Sequence, residues 1–595
     1  MKLLRLKITD PKGFRSLQAG FEYHFRNDWN LQEEQDFAPF VCAGPNGSGK
    51  SNLLEALAAI FYHLECIYLE NLPDSFRFEE ETNPGGFRSE TAIPDGFEIE
   101  YLIRPQDALT TKGHNGQAHV RIVKQPGEAP KWFLLNYAEQ EGAVDLPISQ
   151  TLARQLLPEY VLGYSSGENE ILSLPFFKMR FVQFDEYDQA LKQQLPYPGR
   201  PESRLVYLDS GFSQAILLCN LLLQDADTIA FLGQDVKIEA IKEFRIIIRR
   251  SIEVDESRIP AFGSQDENRR ETIEEIVKNH PALSVIEDES QTKRYRVNLV
   301  HLLDGDNTSD KIIPRLKRCA TCWYLDEDND TLIFDYWVNE ATRQAFRENF
   351  DFEINSSPIA LFQAFQVLLT LNLFSVSDQL KADLYQSDSH YVSETVPTLA
   401  SDERIMRFKL VKFRKTDVTE SVMLKDLSDG EHQLLHTLGL CLLFKKTQSL
   451  FLLDEPETHF NPDWRANFVT RLHQSFGESK GQEMLVTTHT PFLISDSRPE
   501  KVLVFSKHEK TGEVSVKNPE YNTLGASINK ITMATFGKRE TIGGFAQDKL
   551  KKFRQDFEDG KDKEQLIAEI NRQLGDSVEK VLLIKTILDS MEGRD

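Results

Sequence analysis

Gly44-Pro45-Asn46-Gly47-Ser48-Gly49-Lys50-Ser51 fits the pattern G-x-x-x-x-G-K-S at every fixed position. Its glycines let backbone N–H groups curl around phosphates. Lys50 is placed to bridge β- and γ-phosphates, and the Ser51 hydroxyl is suited to Mg²⁺. The helix that begins here with Asn52 adds its positive N-terminal end. A second group is Leu450-Phe-Leu-Leu-Asp454-Glu455, four apolar residues followed by two acids. A buried strand of this kind delivers Asp454 to a Mg²⁺ shell and leaves Glu455 where a base polarises an attacking water. Third, Ser428 and Glu431 of Leu427-Ser-Asp-Gly430-Glu form an S-x-x-E capping box, and the start of the helix they cap is an anion site. Fourth, Glu483-Met-Leu-Val-Thr-Thr-His489 reads as a strand ending in a histidine that can sense a terminal phosphate. Each group has a plainer reading: a glycine turn, a strand ending in acids, a capped helix, a structural histidine. The order of all four along one chain favours phosphate chemistry.

The elements that must position these residues are legible around them. Leu3 to Ile8 and Phe21 to Phe25 alternate as strands, and Phe40 to Ala43 is a short buried strand entering the glycine loop. Asn52 to Glu65 has helical spacing, with Leu53, Leu57, Phe61 and Leu64 on one side. Asp74 to Lys131 reads as a β-rich elaboration. Helical stretches at Ser213–Leu223, Val236–Ile248 and Ile359–Leu373 suggest an inserted lobe. Strand–helix–strand units follow from Arg407–Lys415 to about Val504, and the tail from Gln547 is charged and helical. The expected division is 1–200 for the first part of an α/β head, 201–400 for a mostly helical insertion, 401–510 for the second part of the head, and 511–595 for a helical tail.

Composition narrows the class. Acids outnumber bases 93 to 69, a net charge of −24, which argues against a generally basic coat for nucleic acid. No run reaches the roughly 18 apolar residues of a membrane span. The opening Met1-Lys-Leu-Leu-Arg-Leu-Lys-Ile alternates like a strand, not a signal peptide. Six cysteines do not make a disulfide framework, so a reduced, cytoplasmic compartment is expected. Cys319-Ala-Thr-Cys322 can supply half a zinc site, but two ordinary buried thiols are the simpler expectation. Basic clusters at Lys242–Arg250, Lys311–Arg318, Arg407–Lys415 and Lys549–Arg554 are read first as solvated faces, with phosphate-backbone contact the sharper alternative.

Together the four groups resemble the head of an ABC-type ATPase: phosphate loop, signature, acidic strand and switch histidine. The resemblance is strong over residues 1–70 and 400–505. It implies ATP and Mg²⁺, with Gly44, Pro45, Asn46, Gly47, Ser48, Gly49, Lys50, Ser51 and Asn52 cradling nucleotide, and Ser51 and Asp454 holding the metal. Glu455 would act as base and His489 as switch. Ser428 and Gly430 would reach the γ-phosphate held by a second subunit, so a homodimer or higher oligomer through ATP-sandwiched heads is implied. The resemblance also implies a glutamine-bearing loop, for which Gln183 is the candidate. More than half the chain, from Lys50 to Asp426, separates loop from signature, as in heads of the SMC and RecF type that carry insertions. Sustained heptads for long arms are absent. Lys12-Gly-Phe-Arg-Ser, Asp454-Glu-Pro-Glu-Thr-His459-Phe-Asn-Pro462 and Thr487-Thr-His-Thr-Pro-Phe-Leu-Ile-Ser-Asp496 resemble motifs of RecF-like and OLD-like ATPases. Tyr164-Ser-Ser-Gly-Glu-Asn-Glu and Leu205-Val-Tyr-Leu-Asp are similar to segments of restriction-associated and Septu-type anti-phage ATPases. No nuclease pattern is recognised, so that resemblance implies a separate nuclease or toxin effector, with nucleic acid or a phage component as a further partner and no membrane. The alternative implied function is a repair or recombination ATPase that clamps DNA itself.

Overall fold

The computed structural model describes residues 1–27, 31, 37–69, 72–105, 116–136, 144–145, 150–166, 170, 172–194, 202–263, 271–287, 293–304, 312–350, 358–388, 396, 399–477, 479, 481–537 and 542–592. Four near-continuous apolar runs form the middle of the molecule. Phe40–Ala43, Glu483–Thr488, Leu450–Asp454 and Val161–Ser165 are buried at every residue, as strands covered on both faces must be. They pair in parallel, and parallel strands Val502–Lys507 and Leu205–Tyr207 flank them. Antiparallel Val514–Lys517 completes a seven-stranded central sheet. The register sets Asp454 opposite Thr487 and Ser165, and Thr488 opposite Ala43. Four carboxyl ends therefore meet along one rim, where open α/β sheets place ligands.

A second, antiparallel sheet runs in the order Glu22–His24, Lys2–Ile8, Phe97–Ile103, Ala118–Lys124, Lys131–Leu134, Val144–Asp145. Its strands Lys2–Ile8 and Phe97–Ile103 turn Leu3, Leu6, Ile8, Ile99 and Tyr101 inward. Between the two sheets lies helix Lys50–Ile67. Leu53, Leu57, Phe61 and Leu64 share one core with Leu6 and Tyr101 of one sheet and with Phe40 and Leu452 of the other. Burial on both sides covers most of this helix, including the polar Glu55, His63 and Glu65.

The segment expected at 201–400 as a mostly helical insertion holds two sheets as well as helices, and its expected bounds do not coincide with them: Leu205–Tyr207 joins the central sheet, and Met406–Lys415 joins a sheet of this lobe. Val236–Ile248, expected as a helix, is largely the long strand Ile238–Arg249. Its β-branched run Ile246-Ile247-Ile248 is paired on both sides, by Thr331–Trp337 and by Met406–Lys415. These three strands belong to a five-stranded antiparallel sheet edged by Cys322–Asp326 and Val422–Met423, and a three-stranded sheet of Ser251–Val254, Lys293–Asn298 and Leu283–Glu287 lies in the same lobe. Helices Ser210–Leu223 and Ile359–Thr370 form as expected, and Asn220 donates to the Gly439 carbonyl at 2.9 Å, tying the lobe to helix Asp429–Leu443. No single helix among the described residues is long and apolar enough to cross a membrane. The tail helices Gly544–Glu558, Lys563–Gln573 and Val578–Glu592 share a small core of their own built on Phe553, Ile570 and Ile587.

Candidate functional site

At the rim, the chain leaves Ala43 and turns through three glycines with positive φ: Gly44 at 142°, Gly47 at 72° and Gly49 at 99°. A Cβ at Gly44 would lie 2.4 Å from the Phe505 carbonyl oxygen, so glycine is required by space as well as by angle. Gly49 ends the loop as N-cap of helix Lys50–Ile67, with no side chain satisfying the first-turn N–H groups. Those donors and the helix dipole face a cavity of about 710 Å³ lined by Pro45, Asn46, Gly47, Gly49, Lys50, Ser51, Asn52, Glu455 and His489.

Lys50 is buried and curls back, donating to the Gly44 and Pro45 carbonyls at 3.1 Å each. Burial lowers its pKa, and Glu455 and Asp454 oppose that shift. A phosphate would replace two neutral acceptors with a charged one, a stronger partner for an ammonium. Ser51 donates to Asp454 Oδ1 at 2.8 Å, and Thr487 donates to the same oxygen at 2.5 Å. Burial pushes the Asp454 carboxyl above its ordinary range. A hydroxyl and a carboxylate in contact are hard oxygen donors of the kind that hold Mg²⁺ beside nucleotide phosphates, so this pair fits the ion.

Glu455 has a φ of 50°, rare for a residue with a side chain, and its N–H donates to Thr487 Oγ1 at 3.0 Å. That turn swings its carboxylate off the strand and onto His489, with Nε2 and Oε1 2.7 Å apart. The hydrogen bond to His489 is the main cause that holds the Glu455 carboxyl below its ordinary range. Two residues on, Glu457 is the opposite case. It is buried, accepts from Thr488 Oγ1, and desolvation raises its pKa to about 7.

Ser428 and Gly430 do not line this cavity. Ser428 caps helix Asp429–Leu443 in a full capping box with Glu431, and Lys415 holds Glu431 at 2.8 Å. The helix start packs against the loop after the acidic strand. His459 N–H donates to Gln433 at 2.7 Å, and a Cβ at Gly430 would lie 2.7 Å from the His459 carbonyl oxygen.

Gln183 needs correction. It is buried in the middle of helix Leu174–Lys192 and does not line the cavity. The strand beside Asp454 ends instead in Ser165, followed by Ser166. Ser165 lies 3.4 Å from Asp454 Oδ2, and Ser166 N–H donates to the Asp454 carbonyl at 3.0 Å. The rest of that segment, Gly167 to Asn169, lies outside the described residues. Cys319 is buried but Cys322 is exposed, so the expectation of two buried thiols holds for one only. Among the basic clusters, Arg245 pairs with Asp335 at 2.6 Å and Lys412 with Glu243 at 2.6 Å, while Lys311 lies outside the described residues.

Sequence reasoning missed four contributors. Thr487 and Thr488 hold Asp454, Glu455 and Glu457, and their signal was present in the quoted Thr-Thr-His motif. Thr532 and Phe536, from tail helix Ile528–Phe536, line the nucleotide-sized cavity with no motif to announce them.

Strand, glycine loop, helix and adjacent acidic strand, set along a mainly parallel sheet, define the fold class: a mixed α/β fold of the P-loop kind with its phosphate-loop motif at the sheet rim. Residues 238–495 match the family model described as "AAA domain, putative AbiEii toxin, Type IV TA system". The match spans less than half of the chain and begins after the phosphate loop. A search of curated proteins gave no match. Solved structures that align include the SMC head domain from Thermotoga maritima (12% identity, 88% of this chain and all of that one, TM-score 0.29). Another is the Smc head domain with an extended coiled coil bound to the C-terminal domain of ScpA, from Pyrococcus furiosus (12% identity, 87% and 96%, TM-score 0.29).

Proposed function

We propose that the chain binds and hydrolyses ATP and uses the cycle to control a separate nuclease or toxin effector in a bacterial anti-phage complex. One observation carries the ATPase part. Lys50, Ser51 and the Glu455–His489 pair line a single rim cavity at a helix N-terminus with no side-chain cap, and Ser51 is bonded to buried Asp454 just behind it. In this reading Gly44–Asn52 bind the phosphates and Lys50 leaves its carbonyl partners for the β- and γ-oxygens. When bound, Mg²⁺ supplies charge neutralisation of those oxygens. Glu455, kept ionised by His489, orients and deprotonates the attacking water, and His489 then lies beside the γ-phosphate. Ser428 and Gly430, which miss their own cavity, complete the site of a second copy, so ATP joins two heads and hydrolysis releases them. An equilibrium of this kind shifts only by the nucleotide's differential affinity for open and closed states.

The regulatory part is supported by the family description, which names a toxin of a type IV toxin–antitoxin system, and by the absence of a recognised nuclease pattern on the chain. The test is to isolate the Glu455→Gln chain from its native cells in ATP·Mg²⁺ and weigh the complex. A stoichiometric nuclease-like or toxin-like protein is the expected result. The chain alone, with salt-sensitive DNA retained, would replace this reading by a self-sufficient DNA clamp.

A further inference from the structure

The five-stranded sheet has a free edge among the described residues. Strand Cys322–Asp326 has a neighbour there, Thr331–Trp337, on one side only. On such a strand the N–H and C=O groups of alternate residues point out from the sheet, ready to pair. Proteins blunt free edges with lysine, proline or a bulge, and Cys322-Trp-Tyr-Leu-Asp326 carries neither residue.

Its side chains are unusually apolar for a free edge. Trp323 and Leu325 stand opposite Phe334 and Leu332, and directly opposed residues share a face. Phe334 and Leu332 are 0% and 4% exposed, yet Trp323 and Leu325 are 48% and 37% exposed. The layer that covers the inner strand stops before the edge. On the other face Tyr324 is 40% exposed and Trp337, on the neighbouring strand, 67%. Lys317 lies 4.2 Å over the Trp323 ring, covering part of one face.

Charge around the edge is divided by sequence. Arg315, Lys317 and Arg318 precede the strand, Asp326 ends it, and Glu327 and Asp328 follow. Two copies paired antiparallel about Tyr324 would set the basic approach of each against the acidic turn of the other, twice. A parallel pairing would oppose like charges at both ends. We propose that strand Cys322–Asp326 is the interface for a second copy of this chain. The two five-stranded sheets join antiparallel, by main-chain pairing at a two-fold axis, without nucleotide. The contact is separate from the rim cavity and from the closure of heads on ATP.

Native mass of the full-length chain without nucleotide tests this. A dimer is expected, and Trp323→Lys/Leu325→Lys, two exposed positions, should give a monomer with unchanged circular dichroism and ATP binding. The divided charge allows a second test. A Lys317→Glu/Arg318→Glu chain and a Glu327→Lys/Asp328→Lys chain should each be monomeric alone and form a heterodimer when mixed. A monomeric native chain, a dimer indifferent to the Trp323 and Leu325 changes, or charge variants that stay apart on mixing would overturn the proposal. So would a different polypeptide held at this edge and released by Trp323→Lys. The mass measurements omit ATP, so their failure leaves head closure untouched, and failure of head closure leaves them untouched.

Discussion

Three acids within four positions are driven to three different states. Asp454 is buried and gripped by Ser51 and Thr487. Glu455 is half-buried, paired with His489 and kept low. Glu457 is buried and raised to about 7. Separated pKa values on neighbouring carboxyls are how one site assigns different roles to like groups. For Glu457 the consequence is a pH dependence of stability. Its folded pKa exceeds the unfolded 4.5, so the folded chain keeps a proton that the unfolded chain loses. That contribution is complete below pH 4.5 and disappears as pH rises through about 7. Glu457→Gln keeps the neutral shape without the proton, so it should lose less stability than the native chain between pH 5 and 8. The upper bound is roughly 3 kcal/mol. Thermal melts across that range check it, and parallel losses in both chains would remove Glu457 as the cause. Two further variants belong at this scale. Lys50→Ala should abolish ATP binding, measured by calorimetry. Glu455→Gln should bind ATP normally and turn over at least about a hundredfold more slowly, the order of a lost general base.

At the scale of elements, the phosphate-loop strand and helix and the acidic strand were readable because each is set by local pattern. Leu450–Leu453 is apolar throughout, and Leu53, Leu57, Phe61 and Leu64 recur at helical spacing. Ile238–Arg249 was not readable. Its apolar positions suit either period, and its strand character comes from partners distant in sequence, at Thr331–Trp337 and Met406–Lys415. Gln183 failed for a related reason: no spacing rule ties a loop glutamine to the rim, while parallel pairing beside Asp454 places Ser165 and Ser166 there. Thr532 and Phe536 reach the cavity only through packing of the tail helix, which no motif encodes. Helix Asp429–Leu443 yields its own prediction. Gly430→Ala would bring a methyl 2.7 Å from the His459 carbonyl oxygen and displace the loop that follows Glu455. Hydrolysis should fall by roughly tenfold or more while ATP affinity stays near native. A fall in affinity alone, with turnover intact, would contradict the packing argument.

On the scale of the whole molecule, the two halves of the proposed nucleotide site are not brought together within one chain. Lys50, Asp454, Glu455 and His489 share the rim, whereas Ser428 and Gly430 pack beside His459 and miss the cavity. A second copy would supply the missing half. Turnover should therefore depend on chain concentration, and each site should mix residues from two subunits. Complementation tests this most directly. Lys50→Ala cannot hold nucleotide, and Gly430→Asp sets a carboxylate where the partner's γ-phosphate should bind, so each chain alone should be inactive. Mixed, they form dimers in which the intact loop of one faces the intact signature of the other. ATPase activity should return on mixing, well above the sum of the two chains apart. Two inactive chains that remain inactive together, although native mass shows that they have paired, would contradict a site shared between heads.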